Sequence, residues 1–134
     1  MSRRRSSLGL FGMFGRSGDL RQLDQALRVV DVHPALVPEG VKLTIVNLMK
    51  DHSTGEPPLE AYLHVAQIFG YCVVGDEAFE RVNGTDALHA VERRVEAALG
   101  DEDSEDAQMI LLALHARLIS AEVIEKYGLS ASTE

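Results

Sequence analysis

Several residue types that define particular protein classes are scarce in this chain of 134 residues. Tryptophan is absent and Cys72 is the sole cysteine, so no internal disulfide can form and a disulfide-stapled secreted scaffold is excluded. A single thiol fits a reducing compartment, and we therefore expect a cytoplasmic protein. No run of about 20 apolar residues is present to form a transmembrane helix.

Proline is also scarce, and its distribution is informative. All four prolines lie in two short segments, at positions 34–38 and 57–58, which leaves the whole second half of the chain free to form helices. Apolar residues recur at spacings of three and four. Three such stripes are Leu20, Leu23, Leu27 and Val30; Val41, Ile45, Leu48 and Met49; and Leu88, Val91, Val95 and Leu99. The pattern predicts an all-α protein, a compact bundle of about five to seven helices.

Two stretches, residues 59–74 and 107–119, are apolar on nearly all sides. A helix of this kind needs neighbours on several faces, so we place both at the centre of the domain. Capping residues predict the ends of the later helices. The predicted starts are Thr85, Asp103 or Ser104, and Ser120, and the predicted ends are Gly100 and Gly128.

The sequence aligns weakly with itself at an offset of about 46 residues. Residues 60–61 then match 106–107 and, after a gap, residues 75–82 match 120–127. Repeats of about 40–47 residues are typical of HEAT and armadillo solenoids. One interpretation is therefore a short HEAT-like solenoid with units 39–84 and 85–128, and the other is an irregular bundle without a repeat.

Charge divides the chain into two parts. Residues 1–16 contain four arginines and no acid, which gives them a formal charge of +4. Because the whole chain carries −8, residues 17–134 carry −12. An acidic body repels phosphate, so we expect no nucleic-acid partner. We divide the chain into a flexible arm at 1–18, a helical domain at 19–129 and a disordered tail at 130–134.

The arm combines Arg3, Arg4 and Arg5 with apolar side chains that include Phe11 and Phe14. Its apolar segment is too short for a secretory signal. We expect these five residues to contact the domain or a partner protein, and contact of residues 1–16 with a membrane surface is an alternative.

No nucleophile elbow, phosphate loop, dinucleotide fingerprint or zinc-binding cysteine cluster is present. We therefore expect no catalytic residues and no cofactor. An alternative is a metal site between two helices, because carboxylate and imidazole groups recur at helical spacing. Its ligands would be Glu60, His64, Asp86, His89 and Glu92. Residues 101–106 hold five acids but lack the pattern of a calcium loop, and a basic partner is one interpretation of them.

These observations favour a non-catalytic, adaptor-like domain that binds another protein or regulates it. Self-association into a homo-oligomer is a further option. The alternatives are a small helical enzyme that binds a metal or ligand through His64, His89 and Glu92, and a membrane-peripheral protein anchored by the arm.

Overall fold

A computed structural model describes residues 18–130, and all regular secondary structure in that range is helical. The predicted all-α bundle is therefore confirmed. Helix α1 covers residues 18–29. A short 3-10 helix at Pro34–Leu36 is followed by α2 (Glu39–Asp51), α3 (Leu59–Val74), α4 (Asp76–Asn83), α5 (Thr85–Leu99), α6 (Glu105–His115) and α7 (Ala121–Tyr127). None of the described helices is long and apolar enough to cross a membrane.

Helix α3 lies at the centre of the fold, as its apolar composition predicts. It packs against α4, α5 and α6. Its buried residues are Tyr62, Val65, Ala66, Ile68, Phe69, Gly70, Tyr71 and Cys72. At Gly70 the segment that follows α1 approaches the backbone so closely that a Cβ atom there would lie 3.1 Å from the Cγ2 atoms of Val30 and Val32.

The second helix predicted to be central, α6, ends earlier than the sequence predicts. The apolar run continues to Ile119, but the helix stops at His115 because Arg117 adopts a left-handed conformation with φ of 61°. The N–H of Leu118 then donates to the carbonyl of Ala113 at 3.0 Å, which closes the helix in a Schellman motif.

Caps and glycines set the remaining boundaries close to their predicted positions. Ser104 and Ser120 cap α6 and α7 through their hydroxyl oxygens. Gly128 ends α7 in the left-handed region. Single residues with positive φ, Gly75 and Gly84, separate α3 from α4 and α4 from α5. Glycine adopts this conformation without strain, so three helices follow one another almost without loops.

The helices of the two proposed repeat units occur in the same order: an amphipathic helix, a buried helix and a short helix. The buried helices differ in length, with 16 residues in α3 and 11 in α6. The two buried helices also pack against each other. The duplication itself stays a prediction, which superposition of 39–84 on 85–128 would test.

Candidate functional site

A groove of about 720 Å³ opens on the surface beside the C-terminal end of α5. One side is formed by α5 and the loop after it, another by α6, and the third by the residues that follow α7. The lining residues are Ala98, Leu99, Glu102, Asp103, Ala107, Ile110, Leu111, Leu114, Gly128, Leu129 and Ser130. The groove is therefore built where two helix ends and one helix face meet.

The inner surface of the groove is largely apolar. Ala98, Ile110 and Leu114 are buried and form its floor, whereas Leu99 and Leu111 remain 48% and 49% exposed. Because a fully buried leucine contributes about 1.5–3 kcal/mol, covering the exposed half of each side chain would contribute roughly 1 kcal/mol. The two leucines thus form an apolar surface that an added segment could cover.

Carboxylates stand beside these leucines. Glu102 and Asp103 line the groove and are exposed, and neither forms an ion pair with another residue of the described range. Asp106, on the first turn of α6, differs because Arg94 donates to both of its oxygens at 2.8 and 3.0 Å. Glu102 and Asp103 therefore keep a negative potential at the groove, while the charge of Asp106 is neutralised.

The third side of the groove depends on how the chain leaves α7. Gly128 adopts φ of 64° and ψ of 40°, and the N–H of Leu129 donates to the carbonyl of Ile124 at 3.0 Å. The side chain of Leu129 packs partly against the core. After this turn, residues 128–130 line the groove together with α5 and α6.

A polar network attaches α7 to the rest of the bundle. Lys126 donates to Asp76 at 2.6 Å and also to Glu92, so it joins α7 to α4 and α5. The hydroxyl of Tyr71, on α3, donates to Asp76 and lies 3.3 Å from the hydroxyl of Tyr127. The network therefore ties α7, which leads into the third side of the groove, to α3, α4 and α5.

The protonation properties of the network follow from its contacts. Burial raises the pKa of Asp76, but hydrogen bonds from Lys126 and Tyr71 outweigh this and hold it below its usual value. Burial lowers the pKa of Lys126, but hydrogen bonds to Asp76 and Glu92 outweigh burial and raise it. Burial and the hydrogen bond to Asp76 raise the pKa of Tyr71. Near neutral pH Lys126 is therefore an ammonium and Asp76 a carboxylate, rather than groups ready to transfer protons.

The arm residues Arg3, Arg4, Arg5, Phe11 and Phe14 lie outside the described part of the chain. Their role as contact residues therefore stays a prediction.

The proposed metal ligands are not gathered into a site. Glu60 and His64 are exposed on α3, Asp86 and His89 are exposed on α5, and Glu92 is paired with Lys126. Across residues 18–130, no group of three or more His, Cys, Asp or Glu side chains is placed to hold a metal ion. Although the side chain of His64 is exposed, the pKa of its imidazole is lowered. Partial burial of the ring and the charge of Arg94 lower this pKa by more than Asp106 raises it.

Sequence reasoning missed the residues that matter most in the groove. Leu99 belongs to a predicted apolar stripe and Leu111 to a helix predicted to be buried on nearly all sides, yet both are half exposed. The run of acids after α5 was the available signal, since it marks where the negative rim lies. Comparison of the chain with protein-family models, with curated proteins and with solved structures finds no match.

Proposed function

We propose that this protein is a non-catalytic, adaptor-like interaction domain whose groove between α5 and α6 binds a segment of another protein. The segment would carry apolar side chains next to lysine or arginine. The observation that supports this is the juxtaposition of two half-exposed leucines, Leu99 and Leu111, with the carboxylates of Glu102 and Asp103.

The two parts of the groove have different roles in recognition. Covering the leucines provides affinity, whereas the carboxylates select basic segments and disfavour acidic ones. A volume of about 720 Å³ accommodates a few anchoring side chains, as in the binding of an amphipathic segment to an apolar groove. Basic residues of the partner would lie at the rim, where they remain partly hydrated.

The composition of the groove favours binding over catalysis. Its lining residues include no histidine, cysteine, lysine or arginine. Its two carboxylates are exposed and stand beside apolar side chains, without an oriented base or an oxyanion-stabilising cation. A cytoplasmic location is part of this proposal and is supported by the single thiol, Cys72, which fits a reducing compartment.

Selection from a random peptide library displayed on phage tests the proposal, since it requires no identified partner. The full chain serves as the target. We expect enriched peptides to combine apolar residues with lysine or arginine, and to bind the Leu111→Glu variant at least about tenfold more weakly, a loss of roughly 1.4 kcal/mol. The reason is that a carboxylate would replace one of the two apolar contacts in the groove.

Val29→Glu is the matched control. Val29 is 60% exposed on α1 and does not line the groove, so it receives the same chemical change elsewhere. Circular dichroism of both variants checks that they remain folded. Peptides that bind all three proteins equally, or a selection that enriches acidic sequences, would contradict the proposal. Elemental analysis that finds about one transition metal per chain would instead support the metal-binding alternative.

A further inference from the structure

We infer that residues 1–17, the part of the arm that precedes α1, bind the groove between α5 and α6 of the same molecule and thereby compete with a partner segment. This inference rests on the proposed function, because it assigns a second occupant to the same groove. It concerns regulation: the affinity of the domain for its partner would depend on whether the arm is bound or released.

The chemistry of the arm matches the groove. Residues 1–17 contain four arginines, no acidic residue and a central apolar segment. The apolar residues are Leu8, Leu10, Phe11, Met13 and Phe14. These could cover Leu99 and Leu111, and the arginines could approach Glu102 and Asp103. The arm therefore has the composition that the groove would select in a partner.

The point from which the arm departs is linked to α6 through side-chain contacts. Asp19, at the start of α1, accepts a hydrogen bond from Tyr62 at 3.0 Å and pairs with Lys50 at 2.7 Å. Two residues beyond Lys50, the Nε2 atom of His52 lies 2.8 Å from Oε1 of Gln108 on α6. Gln108 is adjacent to Ala107, which lines the groove. These contacts lead from α1 through α2 to α6, the helix that also carries Leu111.

The position of the apolar segment in the arm sets how far it can reach. Leu8 lies ten residues before Gly18 and Phe14 lies four residues before it, so an extended chain places them up to roughly 33–36 Å and 13–14 Å from the start of α1. Binding in the groove therefore uses the residues of the apolar segment that are furthest from α1, such as Leu8 and Leu10, more readily than Phe14.

Covalent attachment makes even weak binding effective. A short flexible linker provides an effective concentration of about 1 mM. If the arm alone bound with a Kd of about 0.1 mM, it would occupy the groove roughly nine-tenths of the time and weaken partner binding about tenfold. Strong intrinsic affinity is therefore not required for regulation.

Paramagnetic broadening in NMR spectra of the full chain tests the inference. A nitroxide is attached to a cysteine introduced by Ser6→Cys. The native Cys72 is fully buried, and burial raises the pKa of its thiol to about 12, so it should not be labelled. We expect broadening of the amide signals of Leu99, Ala107 and Leu129, which line the groove. The broadening should disappear in the Leu111→Glu variant and persist in Val29→Glu.

A mixed sample identifies the molecule that supplies the arm. Spin-labelled protein without ¹⁵N is added to ¹⁵N-labelled protein without the nitroxide. We expect no broadening in this mixture, because arm and groove belong to one molecule. Broadening of the groove amides in this mixture would show that a second copy supplies the arm. Equal broadening of amides throughout the domain, or none in the groove, would also overturn the inference.

A peptide obtained from the library separates this inference from the proposed function. The variant Arg3→Glu, Arg4→Glu, Arg5→Glu should bind the peptide about tenfold more tightly than the natural chain, since a released arm no longer competes. Unchanged affinity, with binding still dependent on Leu111, would refute the inference and leave the proposed function intact. If the peptide bound the natural chain and the Leu111→Glu variant with equal affinity, both the inference and the proposed function would be refuted.

Discussion

The hydroxyl group of Tyr71 is expected to stabilise the packing of α7, and Tyr71→Phe removes only this group. The ring is fully buried and packs edge-on against Phe79, with ring centres 5.7 Å apart. Phenylalanine preserves the ring packing. The variant therefore isolates the hydrogen bond to Asp76 and the contact with the hydroxyl of Tyr127.

The magnitude follows from the surroundings of Asp76. A hydrogen bond to a charged group contributes about 1.5–3 kcal/mol. In the variant Asp76 would keep Lys126, and its side chain is 29% exposed, so water can replace part of the lost bond. We therefore expect the free energy of unfolding to fall by roughly 1–2 kcal/mol. Urea unfolding followed by circular dichroism measures this, with an unchanged m value.

The dependence on pH provides a second signature. Because the folded-state pKa of Asp76 lies below its ordinary value of 3.8, the network contributes its full stability above that value. The contribution is lost as pH falls through the lower folded-state pKa. The difference between Tyr71→Phe and the natural protein should therefore be constant between about pH 7 and pH 5 and shrink below about pH 4.

A double-mutant cycle with Asp76→Asn would refute the reasoning if the two residues act independently. We expect a coupling free energy of about 1 kcal/mol, because removing the carboxylate also removes the charged acceptor of the hydroxyl. If Tyr71→Phe costs the same in both backgrounds, to within about 0.3 kcal/mol, the hydrogen bond to Asp76 is not the source of the stability.

Three further predictions concern the core, the thiol and the arm. Gly70→Ala should lower the free energy of unfolding by about 1–3 kcal/mol relative to Gly40→Ala, because both gain the helix preference of alanine but only the Cβ at position 70 would crowd Val30 and Val32. Gly40→Ala, on an open face of α2, is the matched control, and an equal loss of stability in both would contradict this explanation. Cys72 should not react with Ellman's reagent at pH 8 in the folded protein but should react fully in denaturant, and reaction at similar rates in both would show that the thiol is accessible. In flotation with anionic vesicles, the natural chain and the variant Arg3→Glu, Arg4→Glu, Arg5→Glu should be recovered equally, and loss of flotation on substitution would instead support the membrane-peripheral alternative.

Much of the helical architecture was predictable because helix formation leaves local signals. The spacing of Leu88, Val91 and Val95 predicts α5, and Ser104 and Ser120 predict the starts of the next two helices. The early end of α6 was not predictable from its apolar run. A non-glycine residue, Arg117, adopts a left-handed conformation there, and no local preference of arginine indicates this.

The candidate site was predictable only in part. The negative charge after α5 is visible in the run from Asp101 to Asp106, but the structure distinguishes Asp106, which Arg94 neutralises, from Glu102 and Asp103. Helical spacing alone predicted Glu92 as a ligand in the metal-binding alternative. In the structure its carboxylate is paired with Lys126, which lies 34 residues further along the chain.

The sequence by itself determined the helical class, most helix boundaries of the described range and the contrast between basic residues 1–16 and the acidic remainder, because these depend on local spacing and on the sum of charges. Only the tertiary structure decided which apolar side chains stay exposed. Leu99 and Leu111 belong to patterns that predict burial, yet no helix of the described range covers them. Burial depends on which neighbours a helix acquires, and those neighbours come from distant parts of the chain that periodicity does not identify.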